Sequence, residues 1–273
     1  MQWIEHLGLQ AHSAGSAPGR HGRGAPRRPA WTPGLALAWA LALVSPLAAA
    51  QTPTGAGLDM AERTRACTAC HGEQGRAGPD GYYPRLAGKP AGYLFHQLQN
   101  FASGRRQYPL MTRLIEPLDE AYLREMAAHF ASQQVPYPPP SAQVRPSPAQ
   151  TERARQLVLK GDAARGLPAC VQCHGAQLTG VQPDVPGLVG LPQDYLNAQL
   201  GAWQTGQRRA HAPDCMKAVV ARLAPGDIAA LSAWLASQRV PANAHPAARP
   251  EQPPSDEAWR CGSAPGLRAG ARP

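Results

Sequence analysis

Cys67-Thr68-Ala69-Cys70-His71 and Cys170-Val171-Gln172-Cys173-His174 are two copies of one pattern, offset by 103 residues. C-x-x-C-H is the attachment sequence of a c-type haem. On a helix this spacing sets two thiols about one turn apart, where they can add to the two vinyl groups of one porphyrin. The adjoining His then sits beneath the iron as its proximal ligand. A bare C-x-x-C has two rivals, a zinc knuckle and a redox dithiol. Zinc needs four ligands in a tetrahedron, and a thioredoxin-like dithiol sits beside a βαβ unit that has no pattern here. The motifs therefore imply two covalently attached haem c groups (iron), bound through Cys67, Cys70, Cys170 and Cys173, with His71 and His174 as ligands.

The duplication extends well beyond the cysteines. Pro84-Arg85-Leu86-Ala87-Gly88 answers Pro186-Gly187-Leu188-Val189-Gly190, and Tyr93-Leu94-Phe95-His96-Gln97-Leu98 answers Tyr195-Leu196-Asn197-Ala198-Gln199-Leu200. Phe130-Ala131-Ser132-Gln133 answers Leu235-Ala236-Ser237-Gln238. The offset drifts only between 102 and 105, a period far too long for a solenoid. A Pro-rich stretch without hydrophobic periodicity separates the copies and reads as a semi-rigid spacer. The expected organisation is a first domain at 55–135, a linker at 136–150, a second domain at 151–241 and a Pro-rich tail at 242–273.

Within each copy the signals are helical. Leu123, Met126, Ala127 and Phe130 recur at i, i+3, i+4 and i+7 behind Asp119-Glu120, and Ile228, Leu231 and Leu235 repeat the stripe behind Pro225-Gly226-Asp227. Sustained period-two alternation is absent, so the expected fold is all-α, twice. Aromatic residues make up only 6% of the chain, and haem would supply the bulk its cores lack.

Each copy carries a Met between its middle and last helices, Met111 and Met216, in matching loops 40 and 42 residues beyond the proximal His. They are the expected sixth iron ligands. Met216 is the only Met after residue 126, whereas the first copy also offers Met60 and Met126. Met126 lies on an apolar stripe and suits a core. His96, His129 and His211 are alternative ligands, but none has a His counterpart in the other copy. A thioether favours Fe(II), which raises the potential, and a filled coordination sphere leaves no place for substrate. Packing against Leu86 and Leu188 would further disfavour the ferric charge. Arg105-Arg106 and Arg208-Arg209 are candidates either to pair with haem propionates or to stand as solvated loop charges.

The first fifty residues read as a signal peptide, 1–50. Arg20, Arg23, Arg27 and Arg28 precede a ten-residue apolar run, Leu35 to Val44. That length suits a signal core and falls short of the ~20 residues of a membrane span. Ala48-Ala49-Ala50 offers a cleavage site, against the alternative of a retained anchor. The full chain carries a net charge of +9. Cleavage removes four Arg and one Glu, leaving +6, which haem propionates would bring near neutrality. No basic run with interleaved aromatics marks a nucleic-acid surface.

In these features the chain resembles the cytochrome c4 family of diheme class I cytochromes. The carrying residues are Cys67–His71, Cys170–His174, the Tyr-x-x-x-Gln-Leu helices, Phe101-x-x-Gly104-x-Arg106 and the Ala-Ser-Gln endings, so the likeness covers nearly all of 55–241. The resemblance implies two tandem class I cytochrome c domains set face to face, each with His/Met iron. It implies that the backbone carbonyls of Pro84 and Pro186 accept the Nδ1–H of His71 and His174. It also implies a periplasmic electron carrier rather than an enzyme, with redox protein partners such as a membrane quinol-oxidising complex and a terminal oxidase. Membrane contact is expected only through those partners. The second copy departs from the family pattern in three extra residues before Met216 and a Cys beside it, and the tail adds Cys261. Two alternatives share the motifs: an electron-transfer subunit of a membrane-bound dehydrogenase or oxidase complex, and a diheme peroxidase, which would need a vacant iron position.

Once haem takes four of the six cysteines, Cys215 and Cys261 remain as an even pair in an oxidising compartment, and a disulfide between them is expected. Two unrelated thiols, or Cys215 as an iron ligand, are the alternatives.

Overall fold

The computed structural model describes residues 57, 59–78 and 81–267. The expected signal peptide, 1–50, lies outside the described residues. In chain order the helices are α1 (Met60–Arg63), α2 (Arg65–His71), α3 (Ala91–Ala102), α4 (Pro109–Ile115) and α5 (Glu120–Ser132). There follow α6 (Pro148–Leu159), α7 (Val171–His174), α8 (Gln193–Gln204), α9 (Cys215–Val220) and α10 (Pro225–Ser237). The first cysteine motif falls on α2 and the second on α7 with Cys170 as its N-cap, and the helices after them correspond pairwise: α3 to α8, α4 to α9, α5 to α10. The architecture is helical as expected, with one addition. Gly180–Val181 (β1) and Val185–Pro186 (β2) pair antiparallel between α7 and α8. None of the described helices is long and apolar enough to cross a membrane.

The helix ends follow from local chemistry. The Asp119 side chain accepts the Tyr122 N–H at 2.8 Å and starts α5, whose buried stripe is Leu123, Met126, Ala127 and Phe130. In α10 the acidic residue comes three places later. Asp227 reaches back to the Ala224 N–H at 2.9 Å, leaving Ile228, Leu231 and Leu235 buried on the inner face. Ser147 and Gln150 cap each other reciprocally and Pro148 fits the first turn, so α6 begins inside the stretch expected to be linker.

In the first copy α3 packs on α5 around Leu94, Phe95, Phe101 and Phe130. In the second, α10 packs on α6 and α8 around Leu157, Leu196, Ile228 and Leu231. The spacer is nailed down at its start. The Arg85 guanidinium donates to the carbonyls of Ala87, Val135 and Pro136 and lies 3.9 Å from the centroid of the Tyr137 ring. Tyr137 in turn abuts the second copy at Gly190, where an added Cβ would come within 2.5 Å of the ring and φ is +71°. Only glycine fits there.

Candidate haem sites

Helix α2 places Cys67 and Cys70 one turn apart and ends at His71. Gly72 follows with φ +75°, and a Cβ there would lie 2.4 Å from the Ala77 carbonyl oxygen, so the sharp exit from the motif requires glycine. That turn carries the chain to Pro84, whose carbonyl accepts the Nδ1–H of His71 at 2.8 Å. In the second copy the Pro186 carbonyl, on β2, accepts the Nδ1–H of His174 at the same 2.8 Å. A carbonyl can only accept, so the proton sits on Nδ1 and each Nε2 keeps its lone pair for a metal. Both rings are buried, and burial pushes their pKa values below the usual range, against the raising effect of the carbonyl hydrogen bonds. They are neutral imidazoles, the ligating form.

The four motif cysteines are outside any disulfide. Burial pushes the thiol of Cys170 up to about 12 and that of Cys173 up to about 11, and raises Cys67 as well. A redox dithiol needs the opposite shift. Met111 on α4 packs at the rim of the first core, as Leu86 does, and Met216 on α9 at the rim of the second, as Leu188 does. Met126 is buried on α5 in the core stripe, whereas Met60 shares the rim with Met111. The alternative histidines have other company. His211 Nε2 lies 3.1 Å from Arg105 Nη2, and the His96 and His211 rings meet at a tilt of 51° with centroids 5.4 Å apart. His129 lies edge-on to Phe130.

The site fits a haem in further ways. Lys89 is buried near Arg85, Arg106 and Arg208, and burial first, then those cations, push it down to about 8. Arg208 is also buried and held below its ordinary value by burial and by Arg106. Neither Lys89, Arg106 nor Arg208 forms an ion pair with a described carboxylate. Unbalanced buried positive charge suits the carboxylates of a bound haem. The buried Trp203 Nε1–H has no partner among the described residues, so it too has an acceptor to gain.

No protein-family model matches the sequence. A cytochrome c4 from Pseudomonas aeruginosa is 32% identical over 171 residues, 62% of this chain and 82% of that protein. The chain belongs to the cytochrome c4 family. A thiosulfate dehydrogenase electron acceptor from Thiomonas intermedia is 37% identical over 174 residues, 63% of this chain and 78% of that protein. The crystal structure of reduced cytochrome c4 from Pseudomonas stutzeri superposes with a TM-score of 0.56 at 29% identity, covering 66% of this chain and 97% of that one. As a member of the family the protein carries two covalent haem c groups in two class I cytochrome c domains, and it is an electron carrier rather than an enzyme.

In this cytochrome c4 relative the two domains meet through duplicated residues. Arg106 and Arg208 form an antiparallel backbone bridge, flanked by Gln107 N–H donating to the Gln207 carbonyl at 2.8 Å and Arg209 N–H to the Arg105 carbonyl at 2.7 Å. Arg106 donates to Gln97 Oε1 at 3.0 Å, Gln199 Oε1 at 2.7 Å and Tyr195 Oη at 3.3 Å. Arg208 makes the mirror set, to Gln199 at 2.8 Å, Gln97 at 3.1 Å and Tyr93 at 3.3 Å. These arginines are interface residues, not solvated loop charges. The signal was present in the sequence: Tyr93/Tyr195, Gln97/Gln199 and Arg106/Arg208 share one offset of 102, undisturbed by the drift elsewhere.

Cys215 and Cys261 are joined in a disulfide, with Cα atoms 5.0 Å apart. The tail is therefore bound to the start of α9, directly beside Met216.

Proposed function

We propose that this chain is a periplasmic electron carrier of a respiratory chain, taking electrons from a membrane quinol-oxidising complex and passing them toward a terminal oxidase. Its parts are the domains at 55–135 and 151–241, the spacer at 136–150, the tail at 242–273 and a signal peptide at 1–50. Cys67, Cys70, Cys170 and Cys173 are the attachment residues, and His71, Met111, His174 and Met216 the iron ligands. The observation that carries this reading is the repeated bond from a buried, neutral His Nδ1–H to a proline carbonyl, one turn from two unpaired thiols, twice in one chain.

When bound, haem c supplies a one-electron Fe(III)/Fe(II) couple. The protein's own residues decide how that couple is used. Pro84 and Pro186 fix the two imidazole rings and raise their basicity as ligands. Met111 and Met216 would each supply the second protein ligand to an iron and so leave no position for substrate. The packed cores around α3/α5 and α8/α10 keep rearrangement small between oxidation states. The Arg–Gln–Tyr interface holds the domains in register for exchange between the two sites.

Holoprotein made with a cytochrome c maturation system tests the reading. Its mass should include two haems that survive denaturation, and an optical redox titration should resolve a couple for each. One haem or none would overturn it.

The Thiomonas relative, at 37% identity, favours a second reading, in which the donor is a thiosulfate-oxidising dehydrogenase. Reduction of the ferric protein by catalytic amounts of such an enzyme plus thiosulfate, at a rate exceeding that with a quinol-oxidising complex, would select it.

A further inference from the structure

The tail departs from the rest of the duplication, because among the described residues the first domain has nothing equivalent to it. It leaves α10 and returns to the cysteine-bearing side of the second domain. Ala247 forms a parallel bridge with Val181, its N–H donating to the Gly180 carbonyl at 2.9 Å and its carbonyl accepting the Gln182 N–H at 2.8 Å. The tail thus adds to the ribbon that carries Pro186, on the proximal side of the site. It next reaches the Met216 side, where Cys261 bonds to Cys215, Gly262 N–H donates to the Pro213 carbonyl at 2.8 Å, and Ser263 Oγ accepts the His211 N–H at 3.2 Å. Ala264 is buried in a small core of its own with Val181 and Val185.

Between these anchors lies a cavity of about 500 Å³. Cys173 forms part of one wall, and Pro254, Trp259, Cys261 and Leu267 of the tail form the other. Cys173 and the tail thus share one cavity. The first domain contrasts with this at the matching place. Leu110, the positional equivalent of Cys215, is 45% exposed, and Leu114, the equivalent of Val219, is 49% exposed. Val219 is partly buried against the second core.

We propose that the tail is a strap closing the thioether side of the second haem cleft, so that electrons enter and leave through the first domain while the second exchanges them only with the first. This rests on haem attachment at Cys173. Each exchange is an outer-sphere transfer of one electron: the external donor is oxidised, one ferric haem is reduced, and no bond is made or broken. A strap anchored on both the Pro186 and Met216 sides interposes protein between the second porphyrin and any partner, and outer-sphere transfer weakens steeply with added distance.

The test uses ferric holoprotein and a neutral gadolinium chelate, read on the haem methyl NMR lines. In the unaltered protein one set should be broadened away. The other set, identified as the one moved by Met216→His, should be retained. In the Cys215→Ser variant truncated after Ala247, both sets should be lost to broadening. Equal broadening of both sets in the unaltered protein would overturn the proposal without needing any variant, as would continued protection of the second set once the tail is gone. Failure of the haem assignment itself would show separately, as a protein mass short of two haems.

Discussion

Arg208 Nη2 donates to Gln97 Oε1 at 3.1 Å, while Arg106 Nη2 donates to Gln199 Oε1 at 2.7 Å, so each arginine is held by the glutamine of the other copy. Each also donates to its own copy's glutamine, which makes Gln97 and Gln199 shared acceptors between two like charges. The arrangement counters the repulsion of the guanidinium groups with directed hydrogen bonds. Arg208 also stacks at 3.9 Å over Trp203, and Arg106 at 4.6 Å over Phe101.

Replacing Gln97 or Gln199 by Leu should therefore loosen the interface. Each change removes one acceptor oxygen that two buried or half-buried guanidinium groups share, at a cost of about 1–3 kcal/mol. The double variant should cost less than the sum of the singles, because both glutamines serve the same two arginines. Denaturant midpoints of the four proteins of the cycle measure this, and additive losses would contradict the shared network. Arg208→Lys should fail to rescue, since an ammonium cannot span three acceptors in the plane of the fork.

Asp227 sets an acid limit on the second domain. It is 4% exposed and binds Arg153 at 2.7 Å and Arg165 at 2.7 Å. Burial alone would raise its pKa, but the two guanidinium hydrogen bonds outweigh that and bring it down to about 2. A carboxyl depressed in the folded state contributes stability above its unfolded pKa, near 3.9, and that stability is lost as pH falls toward 2. The contribution at neutral pH is about 2 kcal/mol. Asp227→Asn should lower the urea midpoint at pH 6 and flatten its decline between pH 5 and pH 2. An unchanged pH slope would show that Asp227 does not carry the acid sensitivity.

The cysteine motifs, the duplication and the helical stripes were legible in the sequence because each is a local pattern of chemistry or period. The His–Pro bonds were legible only through family resemblance, since nothing local relates His71 to Pro84 across 13 residues. The β1–β2 ribbon was not legible, because two-residue strands are too short to show alternation. The start of α6 at Pro148 was hidden by the prolines around it. The Ser147–Gln150 cap that overrides them is a four-residue signal inside a stretch dominated by linker composition. The Arg106–Arg208 pairing left a trace, a constant offset, but composition alone could not separate a buried interface arginine from a solvated one.

The sixth ligands can be tested one domain at a time. Ferric protein should show the weak long-wavelength band of sulfur-ligated low-spin iron. Met111→His and Met216→His should each remove about half of it and lower one potential. Met126→Leu should leave the band intact, because Met126 is a buried core residue of α5. Reduced protein should bind no carbon monoxide at either site. Loss of the band in Met60→Leu would move the first ligand from α4 to α1.

The Cys215–Cys261 disulfide makes the tail part of the second domain's stability. Thiol counting under denaturing conditions should find no free thiol in the unreduced holoprotein and two after reduction, the other four sulfurs being thioethers to haem. The residues are separated by 46 in sequence, and closing a loop of that length removes unfolded-chain entropy worth about 4 kcal/mol in the simple polymer model. Cys261→Ser should therefore lower the unfolding midpoint, with the loss concentrated in the second domain because both anchors of the tail lie there. Native-state amide exchange separates this from a global effect. Faster exchange confined to β1, α9 and residues 247–267 marks release of the strap, whereas uniform acceleration across both domains would mean that the bridge supports the whole fold. The Met216 site offers an independent readout, since α9 begins at the bonded cysteine. If the bridge holds α9 in place, the band from Met216 should weaken on warming at a lower temperature in Cys261→Ser than in the unaltered protein. The band from Met111 should melt at the same temperature in both.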